Sequence, residues 1–271
     1  MLRRTVRPAL ALVLAAVVTA VGAATATTPA AGGANPDAGP PYNYTTELMG
    51  QFKFIPLKDQ AMLTKTEHGY RFRTGQQDSH LVVTRVQRGL RIVDSGTKRF
   101  KKLSPACRRQ RVRAGIAAVC RVPGTITTRR PLLFEVWPRL GDDYTDAHSL
   151  PATFALTVLG DEGNDLARLG AGPDFFNGHS GRDRVTGGGG KDWVRAGLGN
   201  DPVWGGSGND YLVGMEGGDT MYGGDGDDRV YGSDGDDRLS GDAGSDMISC
   251  GSGRDSAQSE GADGPVLDCE R

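Results

Sequence analysis

The sequence predicts an all-β protein, a β-roll of short stacked strands preceded by a small β-rich N-terminal domain. Three observations carry that expectation. Residues 160–258 repeat every nine positions without a gap. Residues 44–138 alternate apolar and polar side chains in short runs, such as QFKFIPL, YRFRT, HLVVTRV and LLFEVW, as half-buried strands do. No helical period persists in that segment.

The first residues, MLRRTVRPALALVLAAVVTAVGAATATTPA, place Arg3, Arg4 and Arg7 before an apolar run and then small residues. That layout predicts a secretory signal peptide over 1–26, cleaved within Ala23–Ala31, with Ala24-Thr25-Ala26 as an A-x-A candidate. The alternative is an uncleaved anchor, but the run is shorter than the ~20 residues a membrane span needs. An extracellular protein with no membrane span after cleavage is therefore expected. Residues 27–43, rich in Pro, Gly and Ala, read as a flexible linker. Asn43-Tyr44-Thr45 matches a glycosylation acceptor.

The β-rich domain is assigned to 44–138 and a lead-in to 139–159. Four cysteines, Cys107, Cys120, Cys250 and Cys269, suit an exported, disulfide-bonded chain. Of the three possible pairings, short loops favour Cys107–Cys120 and Cys250–Cys269. The second would staple the last coil to a C-terminal cap, 259–271. A zinc site is the competing reading, but no C-x-x-C and no clustered His supports it. The run KRFKKLSPACRRQRVR, 98–113, holds eight cations and no acid. It reads either as a solvated surface facing the acidic half of the chain or as a patch for anionic polymers.

Charge is split along the chain. The whole carries −1, yet 160–258 holds 19 acidic against 8 basic residues. Much of that acid sits at one place of the repeat. In the frame GGSGNDYLV, place four is Gly in all eleven units and place six is Asp. The aspartates are Asp165, Asp174, Asp183, Asp192, Asp201, Asp210, Asp219, Asp228, Asp237, Asp246 and Asp255. Place eight is Ala167, Phe176, Val185, Val194, Val203, Leu212, Met221, Val230, Leu239, Ile248 and Ala257. Glycines permit tight turning. Places seven to nine make a very short strand whose middle residue points inward. Two units then form one eighteen-residue coil, and coils stack at the ~4.8 Å spacing of paired strands.

Stacking collects the aspartates in two columns, one from odd and one from even units. Like charges ~5 Å apart repel by roughly 1 kcal/mol even in water. A core of one hydrophobe per nine residues cannot offset that, whereas a hard cation between turns can. Calcium accepts 6–8 oxygens at ~2.3–2.6 Å, and magnesium demands a tighter octahedron. The eleven aspartates are thus candidate ligands for several calcium ions.

The pattern resembles the hemolysin-type calcium-binding repeat, G-G-x-G-x-D-x-U-x, of RTX proteins. The resemblance implies a parallel β-roll, a calcium-binding solenoid with calcium held between successive turns. The lead-in RLGDDYTDAHSLPATFALTVLGDEGND resembles the degenerate first coil of exported actinobacterial-type members, which implies a metal position at Asp143. Departures are Leu169, Ala196 and Cys250 at place one, Pro202 within a strand, and Arg182, Lys191 and Arg254 at place five, where a cation would weaken nearby sites. RTX toxins carry an uncleaved C-terminal signal, so toxin function does not follow.

No catalytic signature appears. GGGGKD, 187–192, lacks the hydroxyl residue of a phosphate loop. GHSGR, 178–182, misses the nucleophile elbow by one residue. The Asp-rich runs fail the twelve-residue EF-hand pattern. Trp193, Trp204, Tyr211, Tyr222 and Tyr231 face outward and read as cover for the roll, with a carbohydrate-stacking strip as the alternative. The expectation is a non-enzymatic, exported calcium-binding protein of structural or adhesive role. The alternatives are a module gripping an anionic cell-surface polymer and, less favoured, a secreted enzyme with a β-roll annex. No nucleic-acid partner is expected.

Overall fold

The computed structural model describes residues 57, 59–75, 78–87, 89–260, 264 and 266–269. The expected signal peptide, linker and glycosylation acceptor lie outside the described residues. Among the described residues every regular element is a strand, and no helix is long and apolar enough to cross a membrane.

The strands form two sheets that face each other across one core. One sheet has twelve strands and the other eleven. Successive nonapeptides deliver their strands to the two sheets alternately. Tyr211–Glu216 therefore pairs with Trp193–Leu198 and Arg229–Asp234, each eighteen residues away, always in parallel. Pro202–Ser207 and Thr220–Asp225 pair likewise in the other sheet. This is the parallel β-roll that the repeat predicts.

The strands are longer than the three residues expected. Tyr211–Glu216 spans places seven to nine and then one to three of the next unit. Its register passes from Val213↔Tyr231 to Met215↔Ser233 and skips place one. Place two lies in the left-handed region in ten of the eleven units. Five of these carry side chains: Asp161, His179, Met215, Ser233 and Asp242, at φ 79, 75, 95, 86 and 64°. A left-handed non-glycine costs about 1–2 kcal/mol, so stacking overrides local preference there. Glycine is obligatory at place four, where a Cβ on Gly226 would lie 2.0 Å from the Gly208 carbonyl oxygen of the preceding coil.

Places six, eight and one point inward, and the place-eight hydrophobes from Phe176 to Ile248 are buried. Upstream, both sheets continue into 57–138 without a break. Phe154–Glu162 pairs with Leu132–Trp137, which pairs with Gly69–Arg73. On the other side Tyr144–Asp146 pairs with His80–Val86. The buried cluster runs on through Val158, Val136, Phe134, Phe72, Leu81 and Leu63. The terminal strands are mostly antiparallel hairpin partners.

Both disulfides form as short loops favour. Cys107 and Cys120 are cross-strand neighbours on the outermost pair of one sheet. Cys250, at a buried place one, is joined to Cys269. The basic run supplies the edge strand of each sheet, Arg99–Leu103 and Cys107–Gln110. Charged edges block pairing with another chain.

Truncating the roll's interior is expected to be costly. Leu212→Ala should lower unfolding free energy by about 2–5 kcal/mol. Denaturant unfolding at fixed calcium checks this, with the outward-facing Tyr222→Ala expected to cost less.

Candidate metal centre

All eleven predicted aspartates point into the interior and are at most 7 % exposed. They stand in the two columns that the repeat implies. One carboxylate oxygen of each accepts the backbone N–H at place six of the coil before it. In the odd column Asp165 bonds to Asp183, Asp183 to Asp201, Asp201 to Asp219, Asp219 to Asp237 and Asp237 to Asp255, with N···O distances of 2.7–2.9 Å. In the even column Asp174 bonds to Asp192, Asp192 to Asp210, Asp210 to Asp228 and Asp228 to Asp246 over the same range.

The second oxygen is left over. Oδ2 of Asp165, Asp183, Asp192, Asp201, Asp210, Asp219, Asp228, Asp237 and Asp255 is buried with no hydrogen-bond partner. A buried acceptor left unpaired costs about 1–3 kcal/mol, and more if charged. Where place one is glycine, that oxygen looks into the space the missing Cβ leaves open. The point where a Cβ on Gly205 would sit lies 2.5 Å from Asp210 Oδ2 and 2.5 Å from the Gly223 carbonyl oxygen of the next coil. Gly214 and Gly223 make the same junction with Asp219 and Gly232, and with Asp228 and Gly241. Carboxylate and carbonyl oxygens thus converge, which is the donor set that suits a hard cation. Among the described residues no three His, Cys, Asp or Glu side chains gather at one point. Each turn directs a single buried carboxylate inward and otherwise offers backbone.

Asp174 differs. Its Oδ1 accepts from Leu156 N–H at 2.7 Å and its Oδ2 from Gly170 N–H at 2.8 Å. Leu169 occupies place one of that turn, and Gly170 and Gly172 lie outside the left-handed region. The turn packs on Leu150 of the lead-in, to whose carbonyl Ala171 N–H donates.

Burial dominates the electrostatics. It raises the carboxyls of Asp165, Asp183, Asp219 and Asp228 to about 7, and those of Asp201 and Asp210 to about 6. Asp174 rises to about 8, and Asp192 and Asp237 also rise. Coulombic repulsion between column neighbours adds to this at Asp183, Asp192, Asp219 and Asp228.

Place five lies outside this interior and forms a second ladder running the opposite way. Gly218 N–H donates to Asn200 Oδ1 at 2.7 Å, and Arg182 N–H to Asn164 Oδ1 at 2.8 Å. Arg182 favours the ionised form of Asp201. Arg254 turns to Asp236 at 2.8 Å, on the surface. The outward aromatics pack on one another: Trp193 tilted against Tyr211 at 4.7 Å, Tyr211 tilted against Tyr231 at 5.1 Å, and Trp204 stacked with Tyr222 at 6.0 Å. Their faces are spent on each other and on Arg184, which lies over Trp204. That geometry suits cover for the roll better than a sugar platform.

Sequence reasoning placed the carboxylates but not the capping role of their first oxygen. It also missed Ser79, whose N–H donates to Asp143 Oδ1 at 2.5 Å. Residues 78–82 lie one coil above 142–146, but 64 residues separate them and no nonapeptide marks them.

A carboxyl that holds its proton more tightly folded than unfolded stabilises the fold at low pH. That contribution is lost as pH rises through the folded values. Unfolded aspartate titrates near 3.9, so the window runs from about 4 to 8. In chelator, the roll should gain β signal and protease resistance as pH falls from 8 to 5. Circular dichroism with limited proteolysis reads this, and equal order at both pH values would contradict it.

The family model of the RTX calcium-binding nonapeptide repeat, in four copies, matches residues 159–194, 186–221 and 222–257. No curated protein matches the chain.

Proposed function

We propose that the chain is an exported calcium-binding repeat protein of structural or adhesive role, whose roll folds when calcium binds. The observation that carries this is the set of buried carboxylates, Asp210, Asp219, Asp228 and Asp237 among them, with one oxygen bonded to the neighbouring coil and one without a partner. Asp165, Asp183, Asp192, Asp201, Asp210, Asp219, Asp228, Asp237, Asp246 and Asp255 would hold the ions, together with turn carbonyls. Bound calcium supplies positive charge that makes ionised carboxylates tolerable between coils. The aspartates' first oxygens fix the stacking distance, and the place-one glycines keep the second oxygens accessible. Export is supported by the N-terminal pattern and by two disulfides. The reading gives the chain no catalytic role.

Without calcium at neutral pH, 160–258 should be largely unfolded, and titration should fold it with midpoints of ~10⁻⁴–10⁻³ M. Asp228→Asn keeps an oxygen to cap Asp210 N–H but loses the free carboxylate oxygen, and should raise the midpoint several-fold. Calorimetry and circular dichroism at fixed ionic strength measure both. A fully ordered roll in excess chelator at pH 8 would overturn the proposal.

A second reading, capture of an anionic surface polymer, is favoured by the edge strands. Arg99, Lys101, Lys102, Arg108, Arg109, Arg111 and Arg113 are exposed together at one end, while Lys98 is paired with Asp59. Retention on a polyanion resin should then fall steeply with salt. Unchanged retention after charge removal at Lys101, Lys102, Arg108 and Arg111 would dismiss this reading.

A further inference from the structure

We propose that the two sides of the roll bind calcium over unequal lengths: the odd column begins at Asp143, ahead of the nonapeptides, and the even column begins only at Asp192. The inference rests on the calcium-binding reading and assigns the ends of the ladder.

Residues 138–146, PRLGDDYTD, fold as an additional unit. Gly141 stands at place four with φ 116° and Arg139 at place two with φ 93°. Gly141 N–H donates to the Glu162 carbonyl, and Leu166 N–H to the Asp143 carbonyl, just as Gly181 N–H donates to the Leu198 carbonyl and Arg184 N–H to the Asp165 carbonyl in the array. Asp143 occupies place six, 3 % exposed. Its N–H donates to Asp165 Oδ1 at 2.9 Å, and its own Oδ1 caps Ser79. Its Oδ2 is buried without a partner, and so is the Ser79 hydroxyl one coil above. Place one is Pro138, yet Ala196 and Cys250 also bring a Cβ to place one, and Asp201 and Asp255 in those turns keep a free Oδ2. Beyond Ser79 the neighbouring strand is antiparallel, and its Asp94 has both oxygens occupied by His80, Gly96 and Thr97, so the odd column ends there.

The even side has no such extension. Register places Leu156, Phe134 and Tyr70 at its upstream place six, all buried in the apolar core. Asp174, the first even aspartate, spends both oxygens on Leu156 and Gly170. It has the right residue type and no oxygen to give.

The test counts calcium bound per folded chain by native mass spectrometry in the full-length protein, for wild type, Asp143→Asn, Asp174→Asn and Asp210→Asn. Asp143→Asn and Asp210→Asn are each expected to bind at least one ion fewer, and Asp174→Asn the same number as wild type. Should an amide disrupt folding, Asp143→Ser and Asp174→Leu copy the residues that the fold already accepts one coil upstream. A wild type that binds no calcium sinks the calcium reading itself. A wild type that binds calcium, with Asp143→Asn undiminished or Asp174→Asn reduced as much as Asp210→Asn, overturns the unequal columns alone.

Discussion

One bifunctional carboxylate organises the roll. Except at Asp174, an inward aspartate at each turn of the array caps the neighbouring coil with one oxygen and turns the other to the interior. The first bond is short and geometrically uniform down both columns, so it sets the stacking. The second oxygen makes that stacking expensive while the charge is uncompensated. A roll built this way needs little hydrophobic core when its charge is balanced and cannot rely on that core when it is not. Structure and metal response therefore reside in the same side chain.

The N-terminal strands solve the same stacking problem by another means. Where the array has aspartate, they have Leu156, Phe134 and Tyr70. Where the array has one hydrophobe per unit, they add Phe72, Phe154, Leu63 and Ile92 to the buried cluster. Burial of large apolar side chains does not depend on an ion. The sheets thus pass from a conventional core at one end to a charge-regulated one at the other, with a disulfide near each extremity.

Much of this was legible because a strict period leaves few solutions. Asp at place six and an apolar residue at place eight dictated two columns, two sheets and an eighteen-residue coil. Strand length was not legible, since pairing through place two requires His179 and Met215 in a conformation that their types disfavour. The extra unit at 138–146 was legible only through the lead-in's resemblance to a degenerate first coil, because Thr145 replaces the hydrophobe and the insertion before Phe154 changes the spacing. The saturation of Asp174 was hidden for a related reason. It follows from packing against Leu150 and Leu156, which lie outside its own nonapeptide, while its local sequence GAGPD keeps the expected glycines.

The stacked aromatics set a different rule for how this molecule can vary in length. Inside, every unit from Asp183 onward brings an aspartate to place six, so losing nine residues there would rotate the downstream portion by half a turn and leave both carboxylate columns filled. Outside, Trp193, Tyr211 and Tyr231 share one sheet and Trp204 and Tyr222 the other. A half-turn would sever those surface stacks and deliver their partners to opposite faces. The interior counts in nines and the exterior in eighteens, so changes in length that preserve the surface come in whole coils.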